Sequence, residues 1–102
     1  MIKVALYENK NGEIYRFKIL NHGQDIVCAG VSALAITCVN FLQSRFDFKF
    51  ELKLDPKGGL IDFEAKEISK DISLIIDNMV FGLYQIMESY KKEIKIKIRS
   101  EL

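Results

Sequence analysis

The sequence predicts an α/β protein of the α+β two-layer sandwich kind, with element order β-β-α-β-β-α-β, one mixed or antiparallel sheet, and both helices on one face of it. Three observations carry this expectation. Five runs alternate apolar and polar residues at the two-residue period of a strand; two longer runs repeat apolar residues at three- and four-residue steps; and each strand-like run has a single apolar face, which two helices on one side cover most economically. The chain has 102 residues, 49% hydrophobic and 28% charged, and is expected to form one domain over residues 1–102. A domain of this size hides roughly two-thirds of the surface its unfolded chain exposes, so it needs neither disulfides nor a structural metal.

The first strand is read from Ile2, Val4 and Leu6, which alternate with Lys3, Ala5 and Tyr7. Asn9-Lys10-Asn11-Gly12 turns the chain into Tyr15, Phe17 and Ile19, and the two runs form a hairpin. From Asp25, the expected N-cap, the period lengthens: Val27, Val31, Leu34, Ala35, Cys38, Phe41 and Leu42 mark one face of a helix to about Arg45. Phe46, Phe48, Phe50, Leu52 and Leu54 then alternate strictly, Asp55-Pro56-Lys57-Gly58-Gly59 turns, and Leu60 to Glu64 completes a second hairpin. That alternation favours core over base-stacking as the role of the phenylalanines. From Ser69, Ile72, Ile75, Ile76, Met79, Leu83, Ile86, Met87 and Tyr90 trace a long helix ending near Lys91 and Lys92, cations suited to the negative end of its dipole. Leu74, Phe81 and Tyr84 widen its apolar surface, as a self-association face or a well-buried helix requires. Ile94, Ile96 and Ile98 alternate with Lys95, Lys97 and Arg99 in the last strand.

Composition narrows the chemistry. Fifteen Lys and Arg against fourteen Asp and Glu give a net charge of +1, which supplies no long-range field for nucleic acid; the basic last strand reads as a solvated edge, and direct nucleic-acid binding is not expected. Two cysteines and one histidine cannot make a four-ligand Cys/His zinc site, and no metal or cofactor is expected. The N-terminal run goes straight into a strand pattern, without the apolar stretch of a signal peptide or membrane span, so a cytoplasmic protein with reduced thiols and no membrane partner is expected.

The informative stretch is Asn21-His22-Gly23-Gln24-Asp25-Ile26-Val27-Cys28-Ala29-Gly30-Val31-Ser32. With Asp25 as N-cap, Cys28 falls at N3, where unpaired backbone N–H groups and the positive end of the helix dipole favour a thiolate. His22, in the loop that leads into this helix, is a candidate base for it. Ser32, one turn after Cys28, falls on the same side. Cys38 lies on the apolar stripe and reads as core, whereas Cys28 is one position off it. Spacing alone favours the plainer reading, a half-buried thiol, a loop histidine and a capping aspartate.

The block Asp25-Ile26-Val27-Cys28-Ala29-Gly30-Val31-Ser32-Ala33, preceded by His22 after a hairpin and followed by this order of elements, resembles the bacterial ribosomal-processing cysteine protease (Prp) family. The resemblance covers essentially the whole chain, with Gly58-Gly59 and the length as secondary support. It implies a small α/β homodimer that removes the N-terminal extension of a large-subunit ribosomal protein of the L-twenty-seven family, cutting after a pair of phenylalanines. On this resemblance Cys28 is similar to the nucleophile and His22 to the general base, while Asp25 and Ser32 match the acidic and hydroxyl positions flanking the thiol. The chain departs from the family pattern between His22 and Gly23. Family members usually carry Gly-His-Ala and a glycine-containing mobile loop, whereas here Asn21 precedes His22 and Gly23 matches the glycine that closes that loop. Two other readings use the same residues: a catalytically silent ribosome-associated binding module, and an α/β domain whose basic strand touches RNA.

Overall fold

In the computed structural model, which describes residues 1–100, the apolar faces of the strands and one stripe of each helix meet in a single core. Glu101 and Leu102, the end of the expected domain, lie outside the described residues. The elements are β1 (Ile2–Glu8), β2 (Ile14–Leu20), α1 (Asp25–Arg45), β3 (Phe50–Asp55), β4 (Leu60–Ala65), α2 (Lys70–Ser89) and β5 (Ile94–Ser100). The sheet order is β3-β4-β2-β1-β5. Three pairings are antiparallel and β1 with β5 is parallel, so the sheet is mixed.

Ile2, Val4, Leu6, Phe17, Ile19, Phe63 and Ile94 point from the sheet into the core. Val27, Val31, Ala35, Cys38, Val39 and Leu42 meet them from α1, and Ile72, Ile76, Met79 and Leu83 from α2. By length and composition α1 is apolar enough to cross a membrane, an apolar stretch the sequence reading did not count as a span. Its six buried residues make it the helix over the core. On the open face the Arg16 guanidinium donates two hydrogen bonds to the buried Asp62 carboxylate, at 3.0 and 2.8 Å.

Three expectations about boundaries are corrected. The N-cap of α1 is Gln24, whose backbone is extended; Asp25 is the first helical residue and makes no cap bond with its side chain. The Gln24 N–H instead donates to the carboxylate of Glu93, 3.3 Å away and from the far end of the chain. Phe46 to Lys49 alternate like a strand but stand outside the ladder, which begins at Phe50. Lys49 pairs with the other side of the hairpin differently, its N–H donating to Glu67 and its carbonyl accepting from Lys66 N–H. Phe48 and Phe50 still pack, with ring centroids 6.3 and 5.7 Å from Phe63. Finally, α2 stops at Ser89, so Lys91 and Lys92 follow its last turn and do not sit in it. Its start is capped as the choice of Ser69 implies, the hydroxyl accepting from Ile72 N–H at 3.2 Å.

Candidate active site

The loop Asn21 to Gln24 joins the end of β2 to the start of α1 and bends the chain over the first turn of that helix. Asn21 adopts a left-handed conformation, φ 73°, which asparagine tolerates better than most residues. Gly23 lies directly over the thiol. Its N–H donates to Cys28 Sγ at 3.1 Å, and the sulfur is 3.6 Å from the Gly23 carbonyl.

With Gln24 as N-cap, Cys28 is the fourth helical residue and not the third, and its own N–H donates to the Gln24 carbonyl at 2.9 Å. The N–H groups of Asp25, Ile26 and Val27 come before the first internal acceptor of the helix, so the unpaired donors and the positive end of the dipole lie just ahead of the thiol. The two cysteines differ sharply in setting. Cys28 is half-buried beside a cavity, whereas Cys38 is buried in the core, where desolvation pushes its thiol up to about 12.

A cavity of about 300 Å³ opens beside this helix end and brings His22, Cys28 and Ser32 together. Its walls are apolar, from Ile19, Val31, Ile36 and Ile61, with Leu54 at its rim. Leu54 is 53% exposed, on the edge strand β3. Asp25 is exposed on the first turn and does not line the cavity; Gly23 acts on it only through the thiol.

The β3–β4 turn holds His22 in place. His22 Nε2 lies 3.2 Å from the Lys57 carbonyl oxygen. A carbonyl can only accept, so in the neutral ring this contact places the hydrogen on Nε2 and leaves the Nδ1 lone pair free. Asn21 N–H donates to the Gly58 carbonyl at 3.0 Å. Gly59, at φ 65°, packs so tightly that a Cβ there would lie 2.5 Å from the Asn21 carbonyl oxygen and 3.1 Å from His22 Cε1. His22 and Cys28 share the cavity without a hydrogen bond to each other among the described residues. Sequence reasoning missed Glu93, and it read Lys57 and Gly59 as parts of a turn and Asn21 as a departure from the family pattern, without placing any of them against His22 or the thiol. The available signal was the pair of glycines closing a turn, which marks a close backbone approach.

A reduced thiol at the open end of a helix, one histidine across an apolar cavity and an adjacent hydroxyl define, by class, a thiol hydrolase. The family model for cysteine protease Prp matches residues 1–95, and the chain belongs to that family of cysteine proteases. The ribosomal processing cysteine protease Prp of Bacillus subtilis strain 168 is 32% identical, the match covering 94% of this chain and 96% of that protein. Two solved structures are of an essential ribosomal processing protease Prp from S. aureus. One, in complex with a covalently linked product peptide, superposes with a TM-score of 0.90 at 28% identity, covering 97% of this chain and all of that one. The other, in complex with a substrate peptide, has a TM-score of 0.91 at 26% identity over the same shares.

Proposed function

We propose that this cysteine protease removes the N-terminal extension of a large-subunit ribosomal protein of the L-twenty-seven family, with Cys28 as nucleophile and His22 as general base. The observation that carries the reading is the one cavity that His22, Cys28 and Ser32 all line at the start of α1. The S. aureus structures with substrate and product peptides support a peptide as occupant.

In this reading His22 Nδ1 takes the Cys28 proton, and the sulfur attacks the scissile carbonyl carbon. The N–H groups opening α1 stabilise the oxyanion that forms. Collapse expels the peptide amine, which receives its proton from His22, and water then hydrolyses the thioester and restores the thiol. At rest the Lys57 carbonyl holds the neutral ring in the tautomer the step needs, and His22 then turns about its side-chain bonds to bring Nδ1 to the thiol. Ser32 bonds the bound peptide, and Asp25 adds negative charge near the helix start. Gly23 serves as the hinge of the shortened loop.

The cavity's apolar walls favour bulky residues before the scissile bond. Each phenylalanine buried there contributes about 1.5–3 kcal/mol. The enzyme works as a homodimer in the cytoplasm, where ribosomal subunits are assembled. Exposed Leu74 and Phe81 on α2 and Phe41 on α1 support a second copy as the cover for the helical face. A synthetic peptide of the ribosomal extension tests the assignment. Cleavage after its phenylalanines, lost when they are replaced by alanine, is expected; equal cleavage of both peptides, or an untouched parent peptide beside a reactive thiol, overturns it in favour of the silent binding module.

A further inference from the structure

The basic last strand plays no part in the proteolytic reading, and its setting differs from that of a solvated edge. Register sets the cations out on the open face of the sheet: Lys3 stands opposite Lys95, Ala5 is flanked by Lys97 and Lys18, and Tyr7 by Arg99 and Arg16. Arg16 is held by Asp62, but Lys3, Lys18, Lys95, Lys97 and Arg99 make no ion pair among the described residues. Asp62, Glu64 and Glu51 on this face sit on β3 and β4, where Arg16 and Lys66 take them up; Lys18, on the middle strand, stands opposite Asp62, and Lys3, Lys95, Lys97 and Arg99 lie on the two strands beyond it. Charge is therefore segregated across the sheet.

Two features separate this patch from simple edge protection. Cations on β5 alone would blunt the edge, yet Lys3 and Lys18 are on inner strands, where they do nothing for it. Like charges directly opposite one another are unfavourable in a sheet, and the Lys3–Lys95 pair keeps that cost with no carboxylate beside it. A bound polyanion removes it.

We propose that the open face of β2, β1 and β5 docks the phosphate backbone of RNA. Adjacent strands lie about 4.8 Å apart and alternate residues about 6.7 Å apart along each strand, so the five cations form a flat array. Lysine is depleted at protein–protein interfaces but dominates polyanion binding through counterion release, which favours RNA over an acidic protein. The one aromatic ring on this part of the face, Tyr7, is covered by the Arg16 guanidinium 4.8 Å from its centroid. Base stacking is thus not on offer, and recognition is of the backbone, independent of sequence. The face lies on the opposite side of the sheet from the cavity, so the enzyme can hold RNA while it cuts a protein embedded in it.

Anisotropy titration of a 20-nucleotide single-stranded RNA of mixed sequence, from about 50 to 200 mM KCl, tests this, with polyglutamate and phosphatidylserine vesicles as competitors. Five backbone contacts predict a slope of log K against log salt of about −3.5, falling to about −1.4 in a Lys95→Gln, Lys97→Gln, Arg99→Gln variant. Peptide cleavage by that variant stays unchanged. A Lys3→Gln, Lys18→Gln variant, on strands less exposed to edge effects, should lower the slope by about 1.4. Absent RNA binding at the lowest salt, or a slope unchanged in both variants, overturns the proposal. So does stronger competition by polyglutamate or by the vesicles than by unlabelled RNA, or loss of peptide cleavage in the two variants, which would give the face to the peptide.

Discussion

Replacing Gly59 by alanine is expected to disable the enzyme without changing Cys28, His22 or Ser32 themselves. The new Cβ would stand 2.5 Å from the Asn21 carbonyl oxygen, where ordinary contact begins at 3.4 Å, so turn and loop must part by about 0.9 Å. The neighbour is backbone, which cannot swing aside as a side chain would. That displacement falls on the segment that carries His22 and breaks its 3.2 Å contact with the Lys57 carbonyl. A misplacement of about 1 Å in a positioned group costs about 100-fold in rate. The residue's φ of 65° adds a left-handed penalty of about 1–2 kcal/mol for alanine. Gly12→Ala separates the two effects, since Gly12 has φ 78° but nothing within 4 Å of a Cβ. The expected pattern is a similar loss of thermal stability from backbone strain in both variants, with kcat on a peptide substrate falling about 100-fold only in Gly59→Ala. His22 is the only histidine, so its ring ¹⁵N signals report the tautomer without assignment. Unchanged kcat and an unchanged His22 signal in Gly59→Ala would refute the reasoning.

Cys28→Ala should abolish cleavage of the peptide while leaving the urea midpoint within about 1 kcal/mol of the parent, because the half-buried thiol fills little core volume. Cys38→Ala should do the reverse, retaining kcat but losing about 1–2 kcal/mol through the cavity it leaves. Cys38 also gives a signed pH effect. The unfolded thiol ionises near its ordinary 9.0, whereas burial holds the folded one to about 12, so its contribution is intact below pH 9 and is lost as pH rises from 9 towards 12. Stability, read by urea denaturation between pH 9 and 10.5, should therefore decline more steeply in the parent than in Cys38→Ala. Sedimentation at tens of micromolar should give a dimer, and Phe81→Lys, which places a charge on the exposed apolar face of α2, should give a monomer.

The elements themselves were legible because periodicity is local: strand alternation and helical steps need no knowledge of partners. What local pattern cannot convey is who the partner is. The alternation of Phe46 to Lys49 is that of any extended segment over a core, and only the bonds of Lys49 to Lys66 and Glu67 show that no ladder forms there. Asp25 has the better intrinsic capping propensity, but Glu93, brought in by the parallel β1–β5 pairing, takes the Gln24 N–H and moves the helix start by one residue. His22, Cys28 and Ser32 could be picked out together because they lie within eleven residues of one another. The groups that hold His22, Lys57 and Gly59, lie some 35 residues further along and become its neighbours only through the second hairpin.

Net charge is the clearest case of information that the fold creates. A balance of +1 supplies no long-range field for nucleic acid, and the expectation drawn from it assumes the charges are mixed. The sheet order β3-β4-β2-β1-β5 unmixes them: acidic β4 and the Glu51 of β3 fall at one end of the open face, Lys3 and the β5 cations fall at the other, and Lys18 stands on the middle strand opposite Asp62. At physiological salt a field decays over about 8 Å, so a polyanion on β5 senses the nearest rows of lysine and little of the carboxylates three strands away, about 14 Å distant. Local charge density, set by strand order and register, governs the encounter, and a sum over the sequence is blind to both.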